Sequence, residues 1–462
     1  MQLDKEFVKN ALVNAQMING DFSPNSSFSV DTRTLQPGDV FVALQGQQSD
    51  GHQFIGDALA KKASGLLVSQ HKRAEIEATY GSALQTVKIL YVEDTLSALV
   101  NLAKEWRSKF TYPVVGITGS VGKTSTKEMI ANILRVSGEA FYVSYGNQNT
   151  IIGVALNILK MKPGYKAAIF EVGVSERGSM AKIADMLRPT YALITGIGHA
   201  HMQGLGSLHD VAAEKRAIFS CFGDANIGII NGDQDVLAGI SYAYPVLKFG
   251  FKTSNQIQAR KVSIKNNVIT FVAKIYKKKY SIMIPGSHEG VVMNALAAIA
   301  VSHMIEILTD VAISGVQKPL AVQGRFEFCH SADHGVFVND SYNANPESMK
   351  AGLLAFNAYE SEYSRILVLG DMLELGVDSA FWHRQIGRFL RKISGVKHLI
   401  LVGTMVQWIK KTAPLGVSIE IFDTWQEALP FVQKITTPKT ITFVKASRGV
   451  GLQNIVDALP MK

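Results

Sequence analysis

The residues richest in chemistry are consecutive: Gly119-Ser120-Val121-Gly122-Lys123-Thr124. Two glycines free the backbone to turn its N–H groups inward and allow a close approach that a Cβ would block. The lysine can reach the outer phosphates of a nucleotide, and the hydroxyl after it can offer an oxygen to Mg²⁺. Gly119, Ser120, Val121, Gly122, Lys123, Thr124 and Ser125 are therefore expected to cradle ATP. The strict pattern asks for a first glycine at position 117, where isoleucine stands, with Gly116 one place early. Context outweighs that departure. Val114-Val115-Gly116-Ile117-Thr118 reads as a buried strand, and an amphipathic helical pattern follows the turn. A helix beginning there aims the partial positive charge of its N-terminus at the phosphates.

Other polar residues close apolar runs, where ligands of open α/β sheets collect. Glu171 follows an expected strand over 167–170 and could ligate Mg²⁺, which takes oxygen donors. His199 and His201 follow a strand expected over 191–194. Histidines two apart would suit zinc, but no third ligand is evident, and a hydrogen-bonded histidine is the simpler reading. Asn339-Asp340-Ser341-Tyr342-Asn343-Ala344-Asn345-Pro346 is a turn after a strand over 336–338, polar enough to border a site. Just before it, Arg325 could fork onto a phosphate, although alone it reads as a surface arginine.

These residues need a scaffold, and 462 positions suggest about three domains. Residues 1–93 mix a strand over 39–44, a helix over 54–60 and a strand over 65–68, forming a small α/β domain. Leu96, Leu99, Leu102, Ala103 and Trp106 repeat at helical spacing, so 94–110 is a connecting helix. In 111–319, strands over 114–118, 167–170, 191–194 and 227–230 alternate with helices, which predicts a mainly parallel sheet covered on both faces. Short antiparallel strands are expected within 255–284, then a helix over 292–307. Residues 320–462 alternate again, with strands over 336–338, 366–369, 399–402 and 440–444, and read as a Rossmann-like α/β domain. No Gly-x-Gly-x-x-Gly turn follows its first strand, so no nicotinamide cofactor is inferred.

Composition removes several classes. With 47% apolar and 18% charged residues the chain is globular, and no apolar run nears the ~20 residues of a membrane helix. Met1-Gln2-Leu3-Asp4-Lys5 shows no basic segment followed by an apolar one, so no secretory leader is expected. Cys221 and Cys329 are too few for a disulfide framework or a cysteine zinc site and suit a reducing cytoplasm. The net charge is +9, but the lysines look scattered apart from Lys277-Lys278-Lys279 and Lys410-Lys411. A solvated basic surface is the simpler reading, with a phosphate-bearing small molecule still open and no nucleic-acid signature.

Taken together, these segments resemble the Mur ligase family along nearly the whole chain. The loop 118–125 is similar to that family's form of the phosphate loop, which lacks the first glycine. The resemblance implies ATP and two Mg²⁺ ions. Lys123, Glu171, His201 and Lys215 would be catalytic, with Thr124, Glu171, His201 and a carbamylated Lys215 on the metals. It puts Asn294 near adenine and Arg325 and Asp340 on ATP. Within the family, segments 146–153, 340–349 and 369–376 resemble members that join D-alanyl-D-alanine to UDP-N-acetylmuramoyl-tripeptide through an acyl phosphate, a step of peptidoglycan precursor synthesis. The implied substrate contacts are Asp31, Thr32, Arg33, Gly46, Asp50, Gly51 and His52, where the N-terminal domain receives the UDP end, with Asn147, Asn149, Asn343 and Asn345. A cytoplasmic monomer acting on small molecules, with no nucleic acid and no membrane insertion, completes the expectation. Gly196, Ala217, Thr150 and Ala446 depart from the family's pattern near the metal shell and dipeptide pocket. A sister ligase such as a folylpolyglutamate synthase, or a non-catalytic ATP-binding switch, are the rival readings.

Overall fold

The computed structural model describes residues 4–12, 14–22, 27–46, 49–265, 267–320, 322–359 and 362–460. Met1–Leu3, at the start of the segment read for a leader, lie outside them. Among the described residues three sheets, of five, nine and six strands, carry the chain. Among the described residues no helix is long and apolar enough to cross a membrane.

In the N-terminal sheet, strands Phe28–Ser29, Val40–Val42, Gly65–Ser69 and Lys88–Val92 run parallel, and Gln16–Ile18 adds an antiparallel edge. The strand expected over 39–44 is shorter because the chain turns at Leu44, whose carbonyl accepts from Gly51 N at 2.8 Å. A 3₁₀ turn, Gly51–Phe54, precedes the helix Ile55–Ala60, and Asp50 caps it by accepting from His52 N. The connecting helix Thr95–Ser108 starts at Asp94, whose carboxylate accepts from Ser97 N at 2.6 Å. Its buried Arg107 donates to the carbonyls of Leu187, Phe110 and Arg188 at 2.8, 2.7 and 3.0 Å, which bolts the connector to the central domain.

Seven strands of the central sheet, from Phe141–Val143 at one edge to Ile257–Lys265, are parallel. Alternation assigns each strand's residues to two cores. Val114, Ala168 and Ile194 join the cluster under Thr95–Ser108, and Val115, Ile169 and Leu193 join the one under Lys123–Ser137 and Glu289–Met304. That two-sided burial is why these strands read as continuous apolar runs. Val268–Ile275 and Lys278–Pro285 extend the sheet antiparallel, as a meander at its far edge. The helix expected over 292–307 runs three residues earlier: His288 accepts from Gly290 N and sets its start, and Glu306, at φ 61°, lies beyond its end.

The C-terminal sheet places Gly335–Asn339, Thr440–Lys445, Ser364–Gly370, Val396–Val402 and Ser418–Phe422 side by side and parallel, with Glu327–Ser331 as an antiparallel edge. The helix Pro346–Ala358 begins with a capping box between Asn345 and Ser348 and a proline in its first turn.

Candidate active site

A cavity of about 1040 Å³ opens between the central and C-terminal sheets. It is lined by the phosphate loop, by Glu171 at a strand end, by His201 just before the short helix Met202–Leu205, by the start of helix Glu289–Met304, and by Arg325, residues of the 340–348 segment and Arg448 from the other side.

The loop leaves room only for glycine. Gly119 and Gly122 have φ of 148° and 82°, and a Cβ there would lie 2.0 Å from Thr195 Oγ1 and 2.4 Å from Asn294 Oδ1. Ser120 N donates to Gly196 O at 2.7 Å, and Thr195 Oγ1 donates to Val121 O at 2.6 Å, so the neighbouring strand end fixes the turn. No side chain caps helix Lys123–Ser137, so its first amides stay available to an anion. Thr124 is the second residue of that helix. Lys123 folds back and donates to Gly119 O at 2.8 Å. Burial lowers its pKa, the Glu171 charge opposes the shift, and Arg325 adds repulsion.

Glu171 is 2% exposed. Its Oε1 accepts from Asn149 Nδ2 at 2.9 Å, while Oε2 is buried with no partner among the described residues. Lys215 is likewise buried on the helix Leu208–Arg216. Burial, then the charge of Lys123, lowers its pKa to about 7 against the pull of Glu214. Glu214 is itself engaged, accepting from Gly178 N and Met180 N at 2.8 and 2.7 Å. Among the described residues no three of His, Cys, Asp and Glu cluster as a metal cage. The expected set has only Glu171 and His201 of those types and is completed by the Thr124 hydroxyl and a modified Lys215.

His201, at φ 58°, holds Glu374 of the C-terminal domain through Nδ1, and that hydrogen bond keeps the Glu374 carboxyl below its usual range despite its burial. Two residues earlier, His199 Nδ1 lies 2.6 Å from Glu347 Oε1, and the ring packs on Trp382 at 4.2 Å between centroids. The pairings of His199 with Glu347 and of His201 with Glu374 had no local sequence signal, because each spans more than 140 positions.

Asp340 is fully engaged: Oδ1 accepts from Phe326 N at 3.2 Å and Oδ2 from Lys445 Nζ at 2.7 Å. Lys445, 1% exposed, also donates to Asn343 O at 3.0 Å. Sequence reasoning missed it, although a lysine closing an apolar strand was a usable signal. Arg325 stacks its guanidinium 4.2 Å from the Tyr342 ring, with Arg448 5.4 Å from the same ring, and Arg325 Nε is buried without a partner among the described residues. Asn294 accepts from Thr126 Oγ1 at 3.3 Å beside Gly122. Asn147, Asn149, Asn343 and Asn345 also line the cavity, and Asn345 uses its side chain as the helix cap.

The N-terminal candidates are not among that lining. Arg33 and Asp31 form an exposed ion pair at 2.7 Å, and Thr32 O accepts from Lys61 Nζ at 2.7 Å. Gly46 N donates to Ser49 O at 2.9 Å, and Gly51 packs where a Cβ would meet the Leu44 backbone at 2.7 Å. His52 Nε2 accepts from Ser69 N at 2.9 Å, so its Nδ1–H faces Asp50 Oδ1 at 2.6 Å.

Comparison with known proteins gives three family matches: residues 26–107 to the Mur ligase family catalytic domain, 117–302 to the Mur ligase middle domain and 324–448 to the Mur ligase glutamate ligase domain. The chain is 32% identical over 455 residues to the UDP-N-acetylmuramoyl-tripeptide–D-alanyl-D-alanine ligase of Escherichia coli (strain K12), covering 97% of this chain and 96% of that protein. It is 30% identical to the Bacillus subtilis (strain 168) protein of that name, over 98% and 96% of the two chains. The fold is shared with MurF from Acinetobacter baumannii (TM-score 0.86, 24% identity, 99% of both chains). It is shared also with MurF ligase from Thermotoga maritima in complex with ADP (TM-score 0.78, 23% identity, 94% and 96%).

Proposed function

The chain belongs to the Mur ligase family, and we propose that it joins D-alanyl-D-alanine to UDP-N-acetylmuramoyl-tripeptide at the expense of ATP. The terminal carboxylate of the tripeptide takes the γ-phosphoryl group, and ADP leaves. The dipeptide amine then attacks the acyl carbon, loses a proton and displaces phosphate as the amide bond forms. The observation that carries this reading is the single cavity shared by the phosphate loop of one sheet and the Asp340–Ser348 face of another. Two sheets meeting over one cavity can hold ATP and the dipeptide amine on either side of the tripeptide carboxylate, which supplies much of the rate by positioning.

The residues suit the ions and nucleotide that such a reaction uses. Among the described residues Glu171 Oε2 has no partner and is a hard oxygen donor in want of a cation, and Arg325 Nε, likewise without one, is a donor in want of an anion. Mg²⁺ at Thr124, Glu171, His201 and a carbamylated Lys215 would neutralise charge where carboxylate and phosphate meet. A pKa near 7 leaves much of Lys215 as a neutral amine, the form that adds to CO₂ with loss of a proton and becomes an anionic ligand. Glu374 on His201 Nδ1 leaves Nε2 as the ligating nitrogen and orients the ring. Lys123 opposes the negative charge on the transferring group. The protein is proposed to act as a cytoplasmic monomer, its N-terminal domain receiving the UDP end through Asp31–Arg33 and Asp50–His52.

The test is phosphate release from ATP with UDP-N-acetylmuramoyl-tripeptide, with and without D-alanyl-D-alanine. Release that requires both acceptors is expected. Release driven by glutamate or by another amino acid would assign a sister ligase instead, and no stimulation by any acceptor would leave only a nucleotide-binding protein.

A further inference from the structure

One stretch of the chain concentrates unbalanced positive charge, and the fold sets it at one sheet edge. Residues 251–288 contain eight lysines and arginines and no acidic residue, while the remainder holds 39 cations against 38 acids. Almost the whole net charge of +9 therefore sits on the antiparallel meander at the far edge of the central sheet. Ile269, Phe271, Ala273 and Ile275 face the core, so alternate residues face out. The register sets Lys274 against Lys279, Val272 against both Arg260 and Ser281, and Val268 against Lys265. Lys277 and Lys278 occupy the exposed tip. Of the eight cations only Lys252 has a carboxylate partner among the described residues, Asp235 at 2.9 Å. Between and beside them Val268, Tyr276 and Met283 are 38%, 45% and 57% exposed.

Edge protection accounts for a lysine or two on such a strand. It does not account for the absence of every acid, nor for Lys274 directly opposite Lys279, a like-charge pairing that costs stability. We propose that this face docks the protein on an anionic lipid bilayer. Flexible, strongly hydrated lysines suit a field of headgroup phosphates, and the exposed Val268 and Met283 can enter the headgroup boundary. A protein partner fits less well, since lysine is depleted at protein interfaces. Nucleic acid fits less well too: the one arginine, Arg260, is committed to Gln258 Oε1 at 2.7 Å, and the Tyr276 ring packs on His303 at 5.4 Å. The proposal does not depend on the ligase reading.

The experiment is co-sedimentation of the full chain with phosphatidylcholine vesicles, with and without one-quarter phosphatidylglycerol, at low and high salt. The Lys274→Gln/Lys277→Gln/Lys278→Gln/Lys279→Gln variant is compared with Lys410→Gln/Lys411→Gln. Anionic vesicles are expected to bind about tenfold or more tightly than neutral ones, with the preference lost at high salt. The meander variant should weaken that binding about tenfold or more and the control variant should not, with melting temperature alike in both. Equal binding to neutral vesicles, equal loss in the control, or displacement from vesicles by a random DNA duplex that binds more tightly would overturn the proposal.

Discussion

The phosphate loop is a run of consecutive residues pinned by its own backbone and by Thr195 and Asn294. The face across the cavity is tied to it through His199–Glu347 and His201–Glu374, partners 148 and 173 positions apart. The first is fixed as soon as the central sheet forms. The second exists only while two separately cored domains are docked, and its hydrogen-bonded pairs are half-exposed: the Glu347 and Glu374 side chains are 37% and 54% accessible. Pairs of that kind contribute about 0.2–1 kcal/mol each. The seam can therefore part without unfolding either sheet, whereas the loop cannot change without straining one. A ligase that must admit three substrates and then exclude water gains from that division, because rigidity sits where phosphate binds and compliance where the domains close.

The comparison can be broken most directly at Lys123. If the loop holds the developing charge, Lys123→Ala should lower kcat for phosphate release by about 10²–10³-fold with the melting temperature little changed. A loss under tenfold would move the electrostatic burden to the seam. Gly122→Ala tests whether the loop's shape is obligatory. A φ of 82° and a Cβ 2.4 Å from Asn294 Oδ1 should strain the turn by about 1–3 kcal/mol and weaken binding of a fluorescent ATP analogue about tenfold. Unchanged affinity would mean that the loop is as compliant as the seam.

Lys215 makes the loop side sensitive to pH through its charge near Lys123. Folded, it releases its proton near 7, while the ordinary lysine value is 10.5. Between these values the unfolded chain binds the extra proton, so this group makes stability rise with pH across the window and fall as pH drops toward 7. The melting temperature of the ligand-free protein should climb from pH 7 to 9, and Lys215→Met should flatten that climb; identical pH profiles would remove the buried amine from the account. The smallest effect is expected at the seam. Glu347→Gln should change kcat/KM for phosphate release about two- to fivefold, in keeping with a half-exposed hydrogen-bonded pair. A hundredfold loss would show that one clasp, rather than many weak contacts, governs closure.

Much of the scaffold was legible because buried parallel strands are continuous apolar runs: 114–118 and 191–194 coincide with the observed strands. Glu327–Ser331 and Ser418–Phe422 were not, since they are short, half-exposed edges rather than continuous apolar runs, and the Ser-Ile-Glu-Ile alternation of the second was a signal left unread. The strand over 39–44 shrank, and the helix over 292–307 shifted, where a glycine packing on Leu44 and a histidine cap, both local but weakly coded, set the ends. Within the site, Glu171 was legible as a carboxylate at a strand end. Asp340 was legible as a polar turn residue, but its partner Lys445, 105 positions away, was not.

The sequence by itself determined the phosphate loop, the alternation of strands and helices and the family resemblance, because each is written in contiguous residues whose spacing matches a backbone period. Only the tertiary structure decided that Glu374 meets His201, that Lys445 lies under Asp340 and that Lys215 is buried near Lys123. Those relations depend on crossover order and strand register, which join residues far apart in the chain and leave no local pattern to read.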